Sequence, residues 1–137
     1  MLKLKDMGLF SKFKKTASDV AKEEIIEVPW HVLSQMEQLE EIVEQSKSTP
    51  VAIFKHSTTC GISKMVYRNF ERSYSLNDSQ MKLYYLDLKA YREVSNEVGY
   101  KFQVIHQSPQ LIVVKNGTAV FNESHHSIQA ADLERFV

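Results

Sequence analysis

The segment from Leu111 to Asn122 admits one local structure: Leu111-Ile112-Val113-Val114-Lys115 and Thr118-Ala119-Val120-Phe121-Asn122 are strand-like runs separated by Asn116-Gly117. A two-residue connection of type I′ requires positive φ at both central residues. Asparagine tolerates that conformation and glycine adopts it freely, so the pair reads as a β-hairpin. A hairpin alone is marginal in water and needs further strands, or a helical cover, to bury its apolar face. The upstream chain supplies both. Val51-Ala52-Ile53-Phe54 is short and apolar throughout, as in a strand buried on two faces, and residues 81–88 read as a second strand rich in apolar and aromatic side chains.

Helical patterns separate these strands. Met36, Leu39, Ile42 and Val43 recur at helical spacing among Glu37, Glu40, Glu41 and Glu44, with Ser34 and Glu37 placed as a capping box. A second helix begins near Cys60, carries Met65, Val66 and Phe70, and ends in the turn formers of residues 73–78. A third spans residues 90–98 with Gly99 as its stop, and residues 128–137 close as an amphipathic helix capped by Ser127. Residues 100–107 fit no single pattern. Strand–helix–strand units make parallel pairs through right-handed crossovers, and the hairpin adds antiparallel strands. The expected fold is therefore α/β and thioredoxin-like, a central mixed four-stranded sheet flanked by helices.

With 137 residues and 43% hydrophobic side chains, the chain can build one ordinary core. Residues 1–27 form a basic N-terminal leader, with Lys3, Lys5, Lys12, Lys14 and Lys15 against Asp6, and loose order is expected there; residues 28–137 are the thioredoxin-like domain. Seventeen basic and 17 acidic side chains balance, which removes nucleic acid as an expected partner. No apolar stretch approaches the roughly 18–20 residues of a membrane span, so no stable membrane association is expected. A single cysteine does not make a disulfide scaffold; a reducing cytoplasm and a monomeric protein are the expectation.

That cysteine, Cys60, stands where the apolar strand gives way to a helix. Backbone N–H donors and the helix dipole favour a thiolate at such a position, and the thiolate is the form that attacks sulfur. The expected supports are the N–H groups of the first turn at Gly61, Ile62 and Ser63, the Ser63 hydroxyl, and the cations Lys55 and Lys64. Ser63 stands where a resolving cysteine would be; a hydroxyl cannot attack a mixed disulfide, so an external thiol must complete any exchange. His125 and His126 are adjacent and do not converge unaided, so no metal site is expected.

The stretch Phe54-Lys55-His56-Ser57-Thr58-Thr59-Cys60-Gly61-Ile62-Ser63 resembles the Lys-His-Ser and Thr-Cys-Pro-Ile-Ser pattern of the monothiol bacilliredoxin family. The resemblance runs from about Trp30 to the C-terminus and includes Ser108-Pro109-Gln110 and Ser124-His125. It implies a thiol-disulfide oxidoreductase with Cys60 as catalytic nucleophile, bacillithiol as low-molecular-weight co-substrate, S-thiolated proteins as clients and no tightly bound cofactor. It also implies that Thr59, Ser108 and a cis Pro109 contact the substrate. Gly61 departs from the family's proline and brings Cys60-Gly61-Ile62-Ser63 close to the Cys-Gly-Phe-Ser of monothiol glutaredoxins, which implies an alternative, a [2Fe-2S] cluster held with a small thiol. A catalytically silent interaction domain is the third reading.

Overall fold

Strand β2, Val51–His56, is buried along its whole length because it lies at the centre of the sheet. The computed structural model describes residues 27–137, so the expected basic leader lies almost wholly outside the described residues. The chain order is β1 (Trp30–Val32), α1 (Glu37–Gln45), β2, α2 (Gly61–Ser73), β3 (Lys82–Asp87), α3 (Arg92–Phe102), β4 (Gln110–Lys115) and β5 (Thr118–Ser124), followed by 3₁₀ segments His125–Ser127 and Ala130–Phe136. Spatially the strands run β1-β3-β2-β4-β5; β3 is parallel to β1 and β2, and β4 is antiparallel to β2 and β5. Strand alternation divides the core. Val51, Ile53, Leu86 and Ile112 pack against α1 and α3, whereas Ala52, Phe54, Leu83 and Val113 pack against α2 and Leu133 of the final segment.

The hairpin forms as expected, with φ of 53° at Asn116 and 76° at Gly117. Its turn is tied to the end of α1: the N–H groups of Asn116 and Gly117 donate to the Ser46 carbonyl and hydroxyl, each at 2.8 Å. A bulge follows, since Val113 pairs with Phe121 but Val114 with Ala119.

Four expectations need correction. The sheet has five strands, not four, because Trp30–Val32 adds a three-residue edge strand beside β3. Ser34 does not cap α1. The helix begins after Met36, and Gln38 folds back so that its Oε1 accepts the N–H groups of Ser34 and Gln35 at 2.8 and 2.9 Å. Gly99 does not stop α3, which continues to Phe102 and ends at Gln103 with φ of 56°. The Gly99 carbonyl instead accepts the closing bond from Val104 N–H at 3.0 Å, and a Cβ at position 99 would stand 2.9 Å from the Val104 carbonyl oxygen. Lastly, the chain closes as a 3₁₀ segment with no side-chain cap, rather than as an α-helix capped by Ser127. A three-residue repeat aligns Ala130, Leu133 and Phe136 along one side, which seats the first two in the core and sets the Phe136 ring 5.4 Å from Phe121 at a 50° tilt.

Candidate active site

Cys60 is the N-cap of α2, in an extended conformation, and its thiol is exposed. The turn from β2 is closed by Cys60 N–H donating to Ser57 O at 3.3 Å, and the Cys60 carbonyl opens the helix by accepting Lys64 N–H at 3.0 Å. The thiol makes no capping hydrogen bond, so the expected contacts from the N–H groups of Ile62 and Ser63 are not formed. Gly61, at the first helical position, has nothing within 4 Å of where a Cβ would lie. Ile62 and Met65 are half-exposed on the same end of the helix.

Ser63 is fully buried and serves its own strand end rather than the thiol. Its Oγ accepts Ser57 N–H at 3.1 Å and lies 2.8 Å from His56 Nδ1. A neutral imidazole and the hydroxyl share one hydrogen across this contact, and Oγ can accept from Ser57 as well because a hydroxyl oxygen has two lone pairs. The neutral ring fits its surroundings: burial holds His56 below the ordinary histidine range and Lys64 adds to this, against the opposing charges of Asp87 and Glu71. The imidazole stacks on Tyr67 at 4.8 Å, and Trp30, stacked on Tyr67 at 5.6 Å, donates its Nε1–H to Glu71 at 2.7 Å. Thus β1 reaches the strand-end histidine only through Tyr67, Tyr85 and Phe54, which touch both Trp30 and His56.

Lys55 is not brought to the thiol. Alternation along β2 turns it toward the α1 and α3 side, away from His56 and α2; there its Nζ lies 2.9 Å from His106 Nδ1. Lys64 is exposed beside α2's first turn. Thr59 is exposed and accepts a hydrogen bond from Lys89 Nζ at 3.2 Å. The Ser108-Pro109 peptide bond is cis. Lys55 pairs with Gln110 across β2 and β4, and continuing that antiparallel register by one step sets Pro109 opposite His56. Gln110, buried, shapes this turn: Oε1 accepts Gln107 N–H at 3.2 Å and Nε2 donates to Ile105 O at 3.0 Å. Tyr67 and His106 carried no signal in the sequence, since their partners His56, Trp30 and Lys55 are distant in the chain. Among the described residues no group of three or more His, Cys, Asp or Glu could hold a metal ion.

Residues 31–133 match the family described as "Monothiol bacilliredoxin BrxC". The chain belongs to that family. A solved structure described as a proposed oxidoreductase with a thioredoxin fold is 34% identical, with a TM-score of 0.66 over 78% of this chain and 92% of that one. Thioredoxins from Malassezia sympodialis (22% identity, TM-score 0.59, covering 82% of this chain and 94% of that one) and Trypanosoma brucei brucei (16%, 0.61, 80% and 88%) share the fold. The expected family and thioredoxin-like fold are both borne out. Together they support a thiol redox role for this bacilliredoxin, with a thiol as co-substrate. Among the described residues no helix is long and apolar enough to cross a membrane.

Proposed function

We propose that this bacilliredoxin removes bacillithiol from protein mixed disulfides in a reducing cytoplasm, as a monomer, with Cys60 as the nucleophile. The observation that carries this reading is the pairing of an exposed, solitary thiol with a fully buried Ser63 at the resolver's position, its oxygen already engaged by His56 and Ser57. Such a site accepts a sulfur substituent and has no internal group to expel it.

In the first step the Cys60 thiolate attacks the small thiol's sulfur in the client mixed disulfide. A Cys60–bacillithiol disulfide forms and the client cysteine leaves as thiolate. In the second, a free bacillithiol thiolate attacks the small-thiol sulfur on Cys60; bacillithiol disulfide forms and the Cys60 thiolate returns. The first-turn N–H groups at Gly61, Ile62 and Ser63, with the exposed Lys64, put the positive end of α2 beside the sulfur. Thr59 and the backbone of Ser108 beside Pro109 receive an extended client segment.

The test is to incubate a bacillithiol-modified client with the protein and free bacillithiol and to follow the client by intact mass. Loss of the adduct with the native chain, and its retention with Cys60→Ser, is the expected result. An adduct that persists with the native chain, while Cys60 still reacts with an alkylating reagent, contradicts the proposal.

A further inference from the structure

The side chain of Lys89 crosses from the β3–α3 loop to the turn that carries Cys60: its Nζ donates to Thr59 Oγ1 at 3.2 Å, and Thr59 immediately precedes Cys60. The loop beneath it is fixed. Asp87 Oδ1 accepts the N–H groups of Lys89 and Ala90 at 3.1 and 3.2 Å, Tyr91 N–H donates to the Asp87 carbonyl at 3.0 Å, and Leu88 N–H donates to the His56 carbonyl at 3.1 Å. The Asp87 carboxylate is thus turned onto its own backbone, and no ion pair among the described residues involves Lys89 or Lys64. The first turn of α2 holds no acidic residue either, although the positive end of a helix favours one. An ammonium has three hydrogens; Thr59 takes one, and two remain for another acceptor. Strand order fixes where this cation stands. His56 pairs with Asp87 of β3 on one side, and the register with β4 leads to Pro109 on the other, so Lys89 and the cis-Pro109 loop flank the Cys60 turn from opposite sides. Lys89, Thr59 and Cys60 are all exposed, so what meets them together is a surface rather than an enclosed ligand.

We propose that Lys89, held over the Cys60 turn by Thr59, selects client proteins that carry acidic side chains beside the modified cysteine. This rests on the reading of Cys60 as a thiol exchange centre and adds the class of client. A client received at Ser108 occupies one flank of Cys60, and Lys89 offers a cation on the other, so a carboxylate close to the client cysteine bridges the turn. The bond to Thr59 restrains the long Lys89 side chain before the client arrives, which lowers the entropy that an unrestrained lysine loses on pairing. The small thiol is the same in every turnover and cannot distinguish one client from another; a charge that sorts clients must act on the protein segment. In this arrangement Lys89 touches the client and not the reacting sulfur atoms.

The test uses two peptides with a single cysteine, flanked on both sides by glutamate in one and by glutamine in the other. Both carry bacillithiol on that cysteine and are reduced with free bacillithiol, so the small thiol is constant, and each rate is divided by the rate without the protein. At low ionic strength the full native chain should prefer the glutamate peptide by about threefold, the strength of one exposed ion pair, and added salt should shrink that preference. Lys89→Ala should bring the ratio toward one, and Lys89→Glu should carry it below one. Lys89 is exposed, so neither replacement disturbs the core. A ratio left unchanged in both variants overturns the proposal, as does an equal fall for both peptides, which would mark a contact with bacillithiol. Removal from neither peptide by the native chain would refute the exchange reading, and this inference with it.

Discussion

Replacing Lys55 by methionine should stabilise this protein at neutral pH. Burial lowers the Lys55 ammonium from 10.5 to about 8. At about 1.4 kcal/mol for each tenfold change in proton affinity, holding that proton in the folded state at pH 7 costs about 3 kcal/mol. Methionine keeps a similar length without the charge, and loses the bond to His106, worth about 1 kcal/mol. The net expectation is a gain of about 2 kcal/mol, or about 8 °C in melting temperature for a domain of this size. The pH dependence identifies the cause. A depressed folded-state value means that the unfolded chain binds more protons between pH 8 and 10.5, so the native chain gains stability as pH rises through that window and the advantage of Lys55→Met disappears by its upper end. Urea unfolding of both proteins at pH 7 and pH 10 measures this directly, since other titrations cancel in the difference. A variant no more stable than its parent at pH 7, or a difference that is constant across the two pH values, would refute the reasoning.

Three further outcomes follow from the described contacts. Ser63→Ala leaves His56 Nδ1 and Ser57 N–H without their partner and should cost about 2 kcal/mol in urea unfolding; a loss below about 0.5 kcal/mol would contradict the buried pairing. Gly61→Ala meets open space and should add about 0.4–1 kcal/mol by restricting the unfolded chain, whereas Gly99→Ala drives a Cβ against the Val104 carbonyl and should lower the melting temperature; the same sign for both would be wrong. Burial lowers both His56 and His106, so stability should be full above their unfolded value of about 6.5 and fall as pH drops through it toward the folded-state values. A urea midpoint that stays level or rises from pH 7.5 to 5.5 would contradict this.

What the sequence made legible was local. The Asn116-Gly117 turn, the apolar β2 run and the placement of Cys60 before an amphipathic helix each rest on neighbouring residues, and each occurs in the fold. The misses arose where distant partners decide. Trp30–Val32 is too short for a periodic pattern, and its strand exists because β3 offers an edge. Gly99 looked like a helix stop, yet the Val104 carbonyl takes the space that its absent side chain leaves. Lys55 and Ser63 were both expected at the thiol, but strand alternation sends Lys55 to the opposite face and His56 claims Ser63, contacts that span 51 and seven positions of sequence. Residue types and spacing therefore located the exposed cysteine at the start of its helix and left the contacts around it to the fold.

The central claim is that Cys60 itself takes up the small thiol before an external thiol releases it. Rapid mixing of the full chain with a bacillithiol-modified client, acid quenching within the first turnover and intact mass of both proteins tests it most directly. The predicted result is this chain carrying one bacillithiol on Cys60 at the moment the client appears free of it. A transient covalent pair between client and Cys60, or a client freed with no adduct on this chain, would contradict it.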